Sequence, residues 1–325
     1  MIVHCHDYGW GAGWPIKQIE QEITDLYLAP LIRSDQRIVL INSTWYGEHQ
    51  HAVTLDWLRS HAWDCAVLIS MIDAPIPDAT WFAEFGRPVL AIGSYAGAHH
   101  ISLWAEVAAR YIQPCRDQAI DLPFMCLNRK PHWHRLRLYN EIVAASLLDR
   151  GLVSLGGDNG RPAMRVLPET VVSNDLAPNG AQDQHGIIND IVSLGDAVNW
   201  RRHFLNIVTE TVFDVDAEYF VSEKIFKPML GARPFLVYAA GGAEQWLQAQ
   251  RFETYLDDWH DITDLDLRDA SNMVPFLTTL CAQGTSYWQH KYLDLVPKIQ
   301  YNQSMFTQFV AQQRQRIQQG ISCPI

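Results

Sequence analysis

Residues 219–238 read Tyr-Phe-Val-Ser-Glu-Lys-Ile-Phe-Lys-Pro-Met-Leu-Gly-Ala-Arg-Pro-Phe-Leu-Val-Tyr, and they predict a short helix that leads directly into a buried strand. Ser222 is a good N-cap residue because its side chain can accept a hydrogen bond from an amide of the first turn. Apolar residues recur at helical spacing across 225–230, and Gly231 is typical of a helix end. The apolar run at 235–239 favours a strand of a parallel sheet that is covered on both faces.

The start of this helix carries an acid and a base side by side, Glu223 and Lys224. A helix N-terminus has unpaired amides and a partial positive charge, so it attracts phosphate. Lys224 would add a full positive charge, and a carboxylate such as Glu223 can accept hydrogen bonds from two ribose hydroxyls. The alternative is an ordinary amphipathic helix whose Glu-Lys pair faces solvent.

Outward from this stretch, short apolar strands alternate with helical patterns. We predict strands at 1–6, 37–42, 65–72, 88–93, 123–128, 153–155 and 204–208, and helices at 15–28, 101–112, 131–148, 242–251 and over most of 270–319. Such alternation is typical of an α/β protein with parallel sheets. Because the alternation restarts near residue 122, we expect two Rossmann-like domains that face each other across a cleft.

The composition of the chain limits the ligands, the metal sites and the cellular compartment that we expect. The chain has 325 residues and a formal net charge of −11, and an acidic surface disfavours nucleic acid as a partner. Its six cysteines show no CxxC spacing, which disfavours a zinc ribbon and is consistent with reduced thiols. We see neither a signal peptide nor an apolar stretch long enough to span a bilayer, so we expect a cytoplasmic protein.

Two motifs resemble those of a known group of enzymes. The Ser-Glu-Lys helix at 222–224 resembles the Y-x-T-E-K signature of fucosyltransferases and the S-E-K helix of exostosin-type glycosyltransferases. The strand end at 204–211, Phe-Leu-Asn-Ile-Val-Thr-Glu-Thr, occupies the place of the F-E-N-S element, and the run at 127–135 resembles an N-R-x-x-x-x-R stretch. The resemblance covers residues 123–240 and is weak or absent before them.

This resemblance implies the two-domain GT-B architecture. We therefore expect an acceptor domain at 1–120, a nucleotide-sugar donor domain at 121–300, and a C-terminal helix at 301–325 that returns to the first domain. The donor would be a nucleoside-diphosphate sugar, and the resemblance favours guanine over uracil as its base. Because Thr-Glu-Thr stands in this sequence where the family motif has Glu-Asn-Ser, the identity of the transferred sugar is left open.

The departing diphosphate needs a cation or other positive charge for stabilisation. The two Asp-x-Asp matches, Asp214 with Asp216 and Asp264 with Asp266, are interpreted as loop carboxylates in solvent, so we expect no metal and no further cofactor. Basic side chains and the helix N-terminus would then bind the phosphates. The predicted donor-binding residues are Arg129, Arg135, Thr209, Glu210, Thr211, Ser222, Glu223 and Lys224. Arg135 could equally decorate a helix start, and Glu210 could be a capping residue.

An inverting transfer also requires a general base for the acceptor hydroxyl. Asp7, Glu48 and Asp73 each follow a predicted strand of the first domain, and one of them is expected to be this base. The sequence thus predicts a metal-independent, inverting glycosyltransferase with a glycan or small-molecule acceptor. The alternatives are a non-catalytic nucleotide-sugar-binding module, a sugar-nucleotide-modifying enzyme such as an epimerase, and an interaction protein without a ligand.

Overall fold

A computed structural model describes two groups of residues. The first group is four strands, at 2–6, 37–42, 65–69 and 89–92, whose backbone alone is described; the second is the chain from 111 to 322, with gaps at 117, 158–162, 166–193, 195–196, 211–212, 214–220 and 240–241. The chain divides into two compact units, one formed by Met1–Glu106 with Gln308–Ile325 and the other by Val107–Thr307.

The first unit contains a four-stranded parallel sheet. Its strands are β1 (Ile2–His6), β2 (Arg37–Asn42), β3 (Cys65–Ile69) and β4 (Val89–Ile92), and they lie in the order β1-β2-β3-β4. All four coincide with predicted strands, although β3 and β4 are shorter than the apolar runs that predicted them.

The second unit contains another four-stranded parallel sheet. Its strands are β5 (Leu122–Asn128), β6 (Leu152–Leu155), β7 (His203–Thr209) and β8 (Phe235–Tyr238), in the order β6-β5-β7-β8. Every residue of β7 is buried, as expected for a central parallel strand. The strand order reverses between β5 and β7, so these two strands flank the switch point at which open α/β sheets bind ligands.

Helices connect these strands and follow the last of them. They are α1 (Trp133–Ala144), α2 (Ala197–Arg202), α3 (Phe226–Leu230), α4 (Ala243–Ala249), α5 (Met273–Gln283) and α6 (Thr285–Ser322). The described part of the chain is therefore α/β with parallel sheets, as predicted. No helix among the described residues is both long and apolar enough to cross a membrane.

Aromatic side chains fill the core of the second unit. Trp259 is 1% exposed; it meets Phe204 of β7 edge-on and Phe276 of α5 in a tilted arrangement, at ring-centroid distances of 5.8 and 5.3 Å. Phe226 of α3 packs on Phe306 of α6 at 5.1 Å. These contacts pack α5 against β7 through Trp259 and pack α3 against α6.

The predicted helix at 222–230 is more tightly wound at its start than expected. Glu223–Ile225 form a 3₁₀ turn, and α3 begins only at Phe226. The hydroxyl of Ser222 lies 3.5 Å from the Lys224 amide, at the outer limit of a hydrogen bond, so Ser222 is at best a weak cap. Its hydroxyl has a stronger partner elsewhere, described below.

Gly231 ends α3 as predicted, but for a different reason. Its φ is −73°, and the left-handed residue is the next one, Ala232, with φ 55°. Hydrogen bonds from Arg233 N–H to Pro228 O (2.8 Å) and from Ala232 N–H to Met229 O (3.3 Å) complete a Schellman motif. Glycine is required at 231 because a Cβ there would lie 1.9 Å from the Trp200 ring.

Candidate functional site

The carboxyl ends of β5 and β7 are joined by a pair of side chains. The Thr209 hydroxyl, at the end of β7, donates a hydrogen bond to the Asn128 side-chain oxygen at the end of β5. The backbone N–H of Asn128 donates to the Ser154 hydroxyl of β6 at 3.2 Å. Three adjacent strand ends are thereby fixed relative to each other at the switch point.

A buried carboxylate lies immediately after β7. Glu210 has no exposed surface, and its two oxygens bind the same residue. Oε1 accepts the Ser222 amide hydrogen bond at 3.0 Å, and Oε2 accepts the Ser222 hydroxyl hydrogen bond at 2.5 Å. Glu210 therefore clamps the chain at the start of the Ser-Glu-Lys segment, across twelve residues of sequence.

Lys224 is connected to this clamp through Ser222. The Lys224 Nζ donates a hydrogen bond to Ser222 Oγ at 3.1 Å. Because the Ser222 proton is directed to Glu210, its oxygen lone pairs are available to accept from the ammonium group. The result is an ordered Lys224–Ser222–Glu210 relay, in which the buried carboxyl group of Glu210 lies behind the partly buried amino group of Lys224.

Arg135, in the first turn of α1, contacts both the end of β7 and the segment that follows β5. Its side chain is 3% exposed, and Nη2 donates to the Thr209 carbonyl at 2.9 Å while Nη1 lies 3.5 Å from the Lys130 carbonyl. The guanidinium therefore places a fixed positive charge next to the end of β7.

His134 makes a second contact between α1 and the end of β7. Its Nε2 lies 2.8 Å from the Glu210 carbonyl, which can only accept, so Nε2 carries the proton. Burial lowers the pKa of His134 to about 4, and the imidazole is neutral at physiological pH. Nδ1 then carries a lone pair, to which no donor among the described residues is hydrogen-bonded.

Aromatic rings cover this edge of the sheet. Phe213 stacks on His134 at 5.1 Å and tilts against Tyr238, the last residue of β8, at 5.0 Å. Trp133 meets Phe213 edge-on at 5.5 Å and His134 edge-on at 5.6 Å. Of these, Trp133 is 60% exposed.

The loop after β6 approaches the site closely. Gly156 N–H donates to the Asn128 carbonyl at 2.8 Å, and a Cβ at Gly156 would lie 2.0 Å from the Arg129 carbonyl oxygen. Only glycine therefore fits here without moving the backbone of Arg129, which is half-buried directly after β5.

Several predicted site residues converge. Arg135, Thr209, Glu210, Ser222 and Lys224 form one connected cluster at the carboxyl ends of β5 and β7, and Arg129 directly follows β5. Thr209 and Glu210 were expected to reach the sugar or the phosphates. Their side-chain oxygens are instead buried and engaged within the protein, where they support Ser222 and Asn128. The remaining predicted residues, Asp7, Glu48, Asp73 and Thr211 and the side chain of Glu223, lie outside the described residues.

Three contributors were missed by sequence reasoning: Asn128, Trp133 and His134. Asn128 is the last residue of β5, and Trp133 and His134 begin α1 shortly after it, so polar and aromatic residues at a parallel strand end could have been noted. Within the described residues, no group of three or more His, Cys, Asp or Glu side chains could hold a metal ion.

Comparison of the chain with protein-family models, with curated proteins and with solved structures gave no significant match.

Proposed function

We propose that this protein is a metal-independent, inverting glycosyltransferase of GT-B architecture, which transfers a sugar from a nucleoside-diphosphate donor to the hydroxyl of a glycan or small molecule in the cytoplasm. The observation that carries the proposal is the Lys224–Ser222–Glu210 relay beside Arg135 at the switch point of a parallel sheet. The likeness of the Ser-Glu-Lys segment to fucosyltransferases supports the same ligand class.

The relay suits a group that must stabilise a leaving diphosphate. A lysine in solvent loses rotamer freedom when it meets a phosphate, which weakens the contact. Here Ser222 already holds Nζ at 3.1 Å, and the buried Glu210 keeps the serine hydroxyl oriented. Charge stabilisation that is organised before reaction is the most effective kind.

Arg135 would act together with Lys224 through the positive electrostatic potential that its guanidinium creates at the strand ends. Its guanidinium is buried and fixed to the Thr209 carbonyl, so its charge is weakly screened by solvent. A diphosphate at the carboxyl ends of β5 and β7 would therefore meet two cations on separate elements. Glu223 is proposed to bind the ribose hydroxyls, and Asp7, Glu48 and Asp73 remain the candidate bases.

The test compares Lys224→Ala with a matched control, Lys227→Ala, which removes the same charge one turn later in α3. Wild-type protein is titrated with GDP and UDP by calorimetry, and GDP- and UDP-sugar turnover is measured with a panel of acceptors. We expect Lys224→Ala to reduce diphosphate affinity and turnover by about 100-fold or more, and Lys227→Ala to change them little.

Three outcomes separate the alternatives. Unchanged affinity and turnover in Lys224→Ala would reject the phosphate role of the relay. Diphosphate binding by the wild type without turnover on any acceptor would favour a non-catalytic binding module. Conversion of the nucleotide sugar without acceptor would favour an epimerase or a related modifying enzyme.

A further inference from the structure

Trp133 differs from the other tryptophans that the structure describes. Its side chain is 60% exposed, whereas Trp200, Trp246, Trp259 and Trp288 are at most 7% exposed. An indole is among the largest apolar side chains, and leaving it in water forgoes the stabilisation that burial gives the others. An exposed tryptophan at a ligand-binding edge therefore calls for an explanation beyond folding.

The orientation of Trp133 is fixed despite its exposure. Phe213 and His134 meet the indole at interplanar angles of 85° and 81°, so two rings restrain its plane. His134 is in turn held by the Glu210 carbonyl, and Phe213 rests on Tyr238. The indole is thus a rigid aromatic surface rather than a freely rotating side chain.

Trp133 lies close to a cation of the candidate site. Trp133 begins α1, two residues before Arg135, and α1 starts at the carboxyl end of β5. The imidazole next to it, His134, presents an Nδ1 lone pair that no donor among the described residues satisfies, although the side chain is only 1% exposed. An N–H or O–H group of a ligand would satisfy it.

We propose that Trp133 is the stacking surface for the aromatic base of the ligand, so that the ligand class is a nucleotide and not a simple phosphorylated sugar or pyrophosphate. The inference rests on the proposed function, because the phosphates of the same molecule are assigned to Lys224. Flat rings stack on indole without regard to base identity. Trp133 therefore contributes affinity for any base, and discrimination between guanine and uracil falls to other residues.

The experiment measures the affinity of GDP, UDP and inorganic pyrophosphate by calorimetry for wild type, Trp133→Ala and Trp133→Phe. Val143→Ala is the control, since it removes exposed apolar surface from the far end of the same helix. We expect Trp133→Ala to weaken both nucleotides by about 5- to 150-fold and to leave pyrophosphate affinity unchanged. Trp133→Phe should restore part of the loss, and Val143→Ala should match the wild type.

The outcomes distinguish this inference from the proposed function. Pyrophosphate and nucleotide binding that are both unaffected by Trp133→Ala would overturn the stacking role and leave the phosphate site intact. An equal loss for all three ligands would also overturn it, because it would show that Trp133 only supports the fold of the site. A wild-type protein that binds none of the three ligands would refute the proposed function and this inference together.

Discussion

The two edges of the second sheet use buried arginines for different purposes. At the carboxyl edge, Arg135 braces the ends of β5 and β7 next to an exposed tryptophan and a lysine relay. At the amino edge, just before β8, Arg233 has no exposed surface and donates to the Trp200 carbonyl and the Gln118 side-chain oxygen, with its guanidinium 4.9 Å from the centre of the Tyr292 ring. Both are fixed cations, but only the first lies where parallel sheets bind ligands.

This contrast teaches that burial and charge alone do not identify a functional residue. Desolvation lowers the pKa of Arg233 to about 10, so it is still charged at neutral pH. A selection of residues by perturbed pKa would therefore include Arg233. The strand order, which places it at the amino edge, assigns it to structure instead.

The largest expected effect tests this assignment directly. Arg233→Ala would leave the Trp200 carbonyl and the Gln118 oxygen without their donor and would open a cavity beside Tyr292. We expect a loss of about 3 kcal/mol in the free energy of unfolding, measured by urea denaturation. Diphosphate affinity, measured where the variant is folded, should equal that of the wild type.

The control for Arg233→Ala is Arg202→Ala, at the same edge. Arg202 forms an exposed ion pair with Asp121 at 2.7 Å, and its loss should cost less than about 1 kcal/mol. A variant Arg233→Ala that is as stable as Arg202→Ala, or that has lost diphosphate binding while folded, would break the distinction between the two edges.

His134 at the carboxyl edge and His203 at the amino edge offer a second comparison, through the pH dependence of the free energy of unfolding. Burial lowers the pKa of His134 to about 4 and that of His203 well below its usual value. The unfolded chain then binds more protons than the folded one between pH 6.5 and 4, so both groups stabilise the fold fully above pH 6.5 and less as the pH falls. For His134 the effect is at most about 3 kcal/mol.

Glu244 acts in the opposite direction, because burial raises its pKa to about 7 and its folded form binds the extra proton. The measurement is therefore a difference between proteins: the free energy of unfolding of wild type and of His134→Gln across pH 4 to 8. We expect the wild type to gain stability relative to the variant as pH rises from 4 to 6.5. Parallel pH profiles would show that folding does not lower the pKa of His134.

Much of the strand pattern could be predicted, because parallel strands in an α/β protein are apolar runs bounded by turns. The run that became β7 is an example. The strand order could not be predicted, since a parallel crossover is compatible with several neighbours. Without the order β6-β5-β7-β8, no switch point can be located, and Arg135 and Arg233 cannot be told apart from sequence.

The sequence could indicate only some residues of the candidate site, because the roles of the others depend on contacts between residues that are distant in the chain. Lys224 and Arg135 have residue types that point to phosphate on their own. The role of Glu210 depends on Ser222, twelve residues away, and no local pattern encodes that contact. The end of α3 was predicted at Gly231 by composition, although the ring of Trp200, distant in sequence, is what requires a glycine there.

The smallest expected effect concerns the left-handed residues after three helices. Ser146, Ala232 and Arg251 have φ of 58°, 55° and 67°, and each completes the same hydrogen-bonding pattern after α1, α3 and α4. Ser146 is exposed, whereas Ala232 is fully buried. Glycine relieves left-handed strain but costs backbone entropy, so Ser146→Gly should gain about 0.5 kcal/mol.

Ala232→Gly also loses the packing of a buried methyl group, so its net gain should be nil or negative. The measurement is the melting temperature of both variants, for which 0.5 kcal/mol corresponds to about 1–2 °C in a unit of this size. Diphosphate affinity should be unchanged in both, since these turns lie away from the carboxyl edge. A stabilised Ala232→Gly would mean that strain outweighs packing next to Arg233, and that the amino edge is less tightly packed than its buried arginine indicates.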